Sequence, residues 1–172
     1  KILLPKIGHS NNLLAEKLRK LGAYVEEVVV GRIEYIDIKI KFEELAKIDW
    51  ILFTSKHGVE GFFKCLKNSN LDVRALSRIK FAVIGSETNL MKYGIIADFI
   101  PNEYNSMKLG KEFSDIIKKG MTLLYPKAKN IDNNLKLDLE ELCHFIEVDV
   151  YENIKADSIN LDINTLDGFD NV

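Results

Sequence analysis

Apolar and polar positions change period several times along the chain, and each change predicts an element. Lys1–Leu4 is a short apolar run that ends at Pro5, read as a strand. Asn11 or Asn12 stands where a helix needs a cap, and Leu14, Leu18 and Leu21 then recur on one helical face before Gly22 closes it. Residues 24–40 are rich in β-formers, and after Gly31 the apolar Ile33 and Tyr35 alternate with charge, as in a half-exposed ribbon. Glu43–Lys47 is predicted as a short helix and Trp50–Phe53 as a strand buried on both faces.

The same alternation continues. A helix is expected from His57 to Lys67, a strand at Phe81–Ile84, and a helix after Gly85-Ser86-Glu87-Thr88 that runs to Tyr93 and closes at Gly94. Ile95–Ile100 reads as a strand ending at Pro101. Ser106 is placed to cap a helix in which Leu109, Phe113, Ile116 and Ile117 share a face, with Gly120 after it. Met121–Tyr125 is a strand, Leu135–Cys143 a helix and Phe145–Ile154 a long β segment.

Strands alternating with helices imply parallel sheets covered on both faces. The two long β segments, near 28–40 and 146–156, bracket one complete α/β unit at roughly 41–145. The simplest layout makes them an antiparallel connector. It predicts two doubly wound parallel-sheet domains joined by two β strands. Residues 1–35 and 155–172 form a first domain that is split and incomplete in this chain, and 36–154 form a second. The chain opens without Met and stops at GFDNV, so a piece of a longer polypeptide is expected.

Composition narrows the function classes. Across 172 residues the apolar fraction is 47%, ample for a core, and the formal charge of −2 gives no reason to expect nucleic acid. No apolar run reaches the length of a membrane helix, and no signal peptide opens the chain. Cys65 and Cys143 are a lone, distant pair, which fits a reduced, cytoplasmic setting. His9, His57 and His144 lack metal-ligand spacing, so no metal is expected.

In open α/β sheets ligands bind beyond the carboxyl ends of the strands. Three such ends carry small polar residues: Thr54-Ser55 after WILF, Gly85-Ser86-Glu87-Thr88 after FAVI, and Lys127-Ala128-Lys129-Asn130 after LLYP. Hydroxyls and free amides at helix starts suit carboxylates or phosphates. Taken singly, Ser55 and Ser86 are better read as plain helix caps, and lysines are mostly solvent-exposed. The GSET turn lacks the glycine spacing of a dinucleotide or P-loop site. Ser55 and His57 are too close in sequence to argue a catalytic triad. Tyr151, in VDVYENI, either points into a cleft between domains or packs on the ribbon.

These stretches together resemble uroporphyrinogen-III synthases. WILFTSKHGVEGFF is similar to the family segment in which a strand ends on Phe-Thr-Ser before a helix. FAVIGSETNLMKYGIIADFIPNEYNSMKL is similar to its glycine, threonine three residues on, helix, strand, proline and Ser-started helix. LLYPKAKN and VDVYENI resemble the segment that returns through the connector. The resemblance runs from about residue 1 to 155. Pro5-Lys6 stands where the family often has Arg-Pro, and Lys56-His57 where it often has Asn or Arg, so no role is carried over to Lys6 or His57.

The resemblance implies two α/β domains with the active site in the cleft between them. It implies a lyase that closes hydroxymethylbilane, a linear tetrapyrrole with eight carboxylates, to uroporphyrinogen III with the last ring inverted and water lost. No metal or organic cofactor is implied. Tyr151 is the candidate for assisting departure of the hydroxyl, since a phenol is a proton donor at neutral pH. Thr54, Ser55, Gly85, Ser86, Thr88, Lys127 and Lys129 are the candidates for holding substrate carboxylates. A monomer, or one part of a fusion with another tetrapyrrole enzyme, is expected. Two other readings stand beside this one. The first is a non-catalytic ligand-binding or regulatory α/β domain that kept the fold, and the second a flavodoxin-like nucleotide binder. Fold alone does not choose among them.

Overall fold

Most of the apolar runs of the sequence are strands in the computed structural model, which describes residues 1–8, 13–84, 90–101, 112–131 and 134–157. The strands are β1 (Ile2–Ile7), β2 (Val25–Tyr35), β3 (Trp50–Phe53), β4 (Lys80–Val83), β5 (Thr122–Ala128) and β6 (His144–Lys155). The helices are α1 (Leu13–Lys20), α2 (Phe42–Leu45), α3 (Lys56–Asn68) and α4 (Asn134–Leu139), with 3-10 turns at Val73–Leu76 and Leu90–Tyr93. The fold is mixed α/β, and hydrogen bonds order six strands as β1-β2-β6-β5-β3-β4. The chain divides into two compact units: Lys1–Glu34 with Asn153–Val172, and Tyr35–Glu152.

In the first unit β1 and β2 pair in parallel, from Ile2 with Val25 to Ile7 with Gly31. The strand does not stop at Pro5, as the sequence predicts; Pro5 pairs with Val28 and the ladder continues. β1 is an edge strand, where a missing N–H costs no ladder bond. The buried face of α1 also differs from expectation. Ala15 is buried, whereas Leu14 and Leu21 are exposed, so the contact runs through the small residue rather than the leucines. Glu27 receives Arg19 at 3.0 Å and Lys6 at 3.4 Å, which accounts for Lys6 within this unit.

In the second unit β3, β4, β5 and β6 are parallel to their neighbours. All four residues of β3 are buried, and alternation sends them to two cores. Ile51 and Phe53 join Val59, Phe62 and Leu66 of α3, whereas Trp50 and Leu52 join Phe113, Leu135 and Leu139 on the other face. Full burial of such side chains stabilises by about 1.5–3 kcal/mol each.

Three boundaries depart from the sequence reading. β2 ends at Tyr35 rather than near residue 40, and β5 runs past Tyr125 and through Pro126 to Ala128. Proline is tolerated there because the β3–β5 ladder covers only Trp50–Leu123 and Ile51–Leu124. Where Pro126 lies, β3 has already left, and no bond is lost. Ile95–Ile100 is not a strand: only Phe99 bridges to Ala82, while Ile96 and Ile100 are exposed. The expected caps at Asn11, Asn12 and Ser106 lie outside the described residues.

Candidate functional site

Helix α3 starts where β3 ends, so the residues of WILFTSKHGVEGFF place hydroxyls at the strand's carboxyl edge. Ser55 is extended and its Oγ accepts from the Gly58 N–H at 3.0 Å, which makes it the N-cap. The same oxygen lies 3.2 Å from the Tyr151 hydroxyl. Capping and contact with Tyr151 are therefore compatible roles of one atom. Thr54 Oγ1 lies 2.9 Å from the Tyr125 hydroxyl. Burial pushes the Tyr125 phenol up, against the bond from Thr54.

Two glycines let α3 approach this closely. A Cβ on Gly58 would come within 2.9 Å of the Pro126 carbonyl oxygen. On Gly61 it would lie 2.7 Å from the Val150 oxygen and 2.9 Å from that residue's Cβ and Cγ2. The spacing G-V-E-G thus seats one helical face on β5 and β6.

Tyr151 reaches α3 through an irregularity. Along β6 the register with β5 slips by one residue between Lys127 and Ala128, whose partners are Asp149 and Tyr151. In a regular strand adjacent residues point to opposite faces. Here Val150 meets Gly61 and Tyr151 meets Ser55, so both contact the same helix. A bulge re-aims a side chain in this way.

Beside Tyr151 lies a group of residues 22 to 25 positions apart in sequence. The His57 ring packs at 5.6 Å from the Tyr151 ring, centroid to centroid. Its Nδ1 is 3.2 Å from the Tyr35 hydroxyl. Tyr35 donates to Glu60 Oε2 in a short hydrogen bond, and Lys92 Nζ binds Glu60 Oε1 at 2.9 Å. The Lys64 ammonium sits 3.5 Å above the Tyr35 ring. Burial and the neighbouring Lys56 hold His57 below its ordinary value, and Glu60 only partly opposes them. Burial raises Glu60, but the bonds from Tyr35 and Lys92 outweigh it and keep it ionised. Burial and Glu60 raise Tyr35 far above an ordinary phenol.

These shifts set a pH dependence of stability. The folded state binds the His57 proton less readily than the unfolded chain, whose ordinary value is 6.5. That contribution is whole above 6.5 and is lost as pH falls through the lower folded value. Glu60 acts in the same direction below its ordinary value of 4.5. Thermal melts are expected to fall in two steps, one beginning below pH 6.5 and one below 4.5. A Tm that rises between pH 7 and 5 would contradict these assignments.

Lys127 and Lys129 are held by carboxylates of β6. Lys127 Nζ lies 3.1 Å from Asp149 Oδ1, with its side chain only 14% exposed. Lys129 Nζ lies 3.3 Å from Glu152 Oε2. Gly85, Ser86 and Thr88 lie outside the described residues. Tyr35, Glu60, Lys92 and Tyr125 are absent from the sequence-derived site. Tyr125 was the accessible one, since alternation with Leu123 puts it on the face that Thr54 follows.

Chemically, the arrangement can present a phenolic hydroxyl beside a capping hydroxyl at the carboxyl edge of the sheet. Ser55 Oγ already accepts from the helix, so its own O–H is available to the Tyr151 oxygen. In that arrangement the phenolic hydrogen is left to a third group. Among the described residues no group of His, Cys, Asp and Glu could hold a metal ion, and no helix is long and apolar enough to cross a membrane.

A mostly parallel sheet flanked by helices, with hydroxyls and a buried tyrosine at its carboxyl edge, defines an α/β protein of the open-sheet kind. A family model described as uroporphyrinogen-III synthase HemD matches residues 12–166. The chain belongs to the uroporphyrinogen-III synthase family. A porphyrin biosynthesis protein HemD of Ruminiclostridium josui is 33% identical over 155 residues, which are 80% of this chain and 30% of that protein. A putative uroporphyrinogen-III synthase of Methanocaldococcus jannaschii is 28% identical over 173 residues, 96% of this chain and 67% of that one. The chain thus spans about a third to two thirds of these relatives' length.

Two solved structures share the fold. A mutant uroporphyrinogen III synthase of the extreme thermophile Thermus thermophilus gives a TM-score of 0.61 at 15% identity, covering 91% of this chain and 64% of that one. Uroporphyrinogen-III synthetase of Helicobacter pylori 26695 gives 0.61 at 21% identity, covering 98% and 67%.

Proposed function

We propose that the polypeptide carrying this chain is a uroporphyrinogen-III synthase, a lyase of porphyrin biosynthesis that closes hydroxymethylbilane with inversion of the last ring and loss of water. The match of the family model along residues 12–166 carries this reading. The pairing of Ser55 with Tyr151 at the end of β3 supports it. In this reading Tyr151 donates to the departing hydroxyl, while the pyrrole nitrogen supplies the electron push. The chemistry requires no metal or organic cofactor.

Without an enzyme the bilane closes to the uninverted isomer. The protein must therefore favour one ring closure over another, and each tenfold preference needs about 1.4 kcal/mol of differential stabilisation. Holding a flexible chain in one coil supplies it by positioning. Thr54, Ser55, Lys127 and Lys129 hold acetate and propionate groups. Gly85, Ser86 and Thr88 join them on the family resemblance alone.

The reading also includes two domains joined by an antiparallel ribbon. It draws on two bonds, Ile36 N–H to Val150 O and Ala156 N–H to Val30 O, both 3.0 Å. As one strand advances, the partner recedes. A monomeric cytoplasmic protein, alone or fused to another tetrapyrrole enzyme, belongs to the same reading.

The test is product analysis. Freshly generated hydroxymethylbilane is given to the full-length polypeptide that carries this sequence, and the type I and type III isomers are separated by chromatography. An excess of type III is expected. Type I alone, at the uncatalysed rate, would leave a binding domain that kept only the fold.

A further inference from the structure

The cluster around His57 has a hydrogen-bond order that leaves one arrangement of protons. Glu60 is ionised and accepts from Tyr35 through Oε2 and from Lys92 through Oε1. The Tyr35 hydroxyl has one hydrogen, and Glu60 takes it. The contact of 3.2 Å between Tyr35 oxygen and His57 Nδ1 then needs its hydrogen from the imidazole. His57 is therefore the Nδ1–H tautomer, and its Nε2 carries the lone pair. Tyr35, on β2, and Glu60, one turn along α3, fix a base whose ring lies against Tyr151.

We infer that His57 is the general base of this site, its Nε2 accepting the proton that the closing tetrapyrrole must lose. This rests on the synthase reading. The reaction gives up one proton from carbon, and the imidazole beside Tyr151 offers a lone pair to carry it back to that phenol. The substrate's C–O bond breaks with its electron pair on oxygen, which takes the Tyr151 proton and leaves as water. The resulting cation bonds to the substituted α-carbon of the last pyrrole; that carbon's bond to the neighbouring methylene breaks, and the methylene re-bonds to the ring's other α-carbon, which bears hydrogen. That carbon's C–H bond then breaks, its electrons restore the aromatic ring, and its proton goes to Nε2. The imidazolium returns the proton to the Tyr151 phenolate, and the cycle is redox-neutral.

The charged and titratable neighbours of His57 are Lys56 and Glu60 on α3, Tyr35 on β2 and Tyr151 on β6. Lys64 sits over the Tyr35 ring, and Lys92 binds Glu60. Burial and Lys56 oppose protonation of the imidazole, and Glu60 favours it. The base form persists to below pH 6.5, its ordinary value.

Two measurements test this. Nitrogen-15 NMR of this chain reads the tautomer directly: His57 is expected to be protonated at Nδ1, and Tyr35→Phe is expected to shift it toward Nε2–H. An Nε2–H tautomer in the unmodified chain would overturn the proposal. In the full-length polypeptide, His57→Gln is expected to lower kcat roughly tenfold at neutral pH, below the usual general-base contribution because solvent reaches the half-buried ring. KM should hold, the acid limb of the pH profile should vanish, and added imidazole should restore part of the rate. Tyr35→Phe, which removes only a hydroxyl, should lower kcat less and raise the acid limb. Unmodified protein that makes no type III isomer would end the synthase reading. Active protein with an equally active His57→Gln variant would end the assignment of His57 alone.

Discussion

Replacing Gly61 with alanine is expected to lower stability by about 2 kcal/mol. In an exposed helix interior the same change stabilises by about 1 kcal/mol. Here the new Cβ would lie 2.7 Å from the Val150 oxygen and 2.9 Å from its side chain. A backbone oxygen bonded to the Ile36 N–H cannot swing aside. Overpacking of this kind costs about 1–3 kcal/mol, and where backbone meets backbone the upper part of that range applies. A loss of about 2 kcal/mol lowers Tm by roughly 4–8 °C in a chain of this size. Urea unfolding and thermal melts would measure it. The displaced helix also carries Ser55 and His57 away from Tyr151, so activity should fall further than stability explains. An unchanged Tm would mean that α3 and β6 are not in this contact.

Tyr151→Phe in the full-length polypeptide is expected to reduce kcat roughly 100-fold, the low end of a general-acid contribution. KM should change little, because the ring stays in place and the proposed carboxylate contacts at Thr54, Lys127 and Lys129 do not touch the phenol. Only the bond to Ser55 is removed, at a cost to stability of about 1 kcal/mol. Steady-state rates with separation of the two isomers would show whether the lost activity is rate or selectivity. Full retention of kcat would exclude the phenol from the chemistry.

Much of this site was legible in the chain. Four buried residues followed by two hydroxyls and a helix pattern located β3, the Ser55 cap and the start of α3, because local spacing determines all three. Tyr151 could be named from its motif, but not its direction. Strict alternation aims it away from the face of Val150, and only the register slip beside Ala128 turns it to Ser55. Pro5 and Pro126 looked like strand ends because sequence does not tell which neighbour a strand has already left. Ile95–Ile100 looked like a strand because apolar content resembles burial, yet Ile96 is exposed. The union of Tyr35, His57 and Glu60 depends on how β2 passes α3, which no local pattern encodes.

The lysines at the end of β5 already hold carboxylates. Lys127 is bound to Asp149 and Lys129 to Glu152. An acid that docks there exchanges one ion pair for another, and a single exchange of that kind is nearly neutral in free energy. A monocarboxylate therefore gains almost nothing at either lysine. A ligand that presents several acids at once gains through effective concentration, since each further exchange is intramolecular. If the proposed carboxylate sites lie here, the internal carboxylates would make this edge a counter of charges, blind to small metabolic acids and responsive to valency.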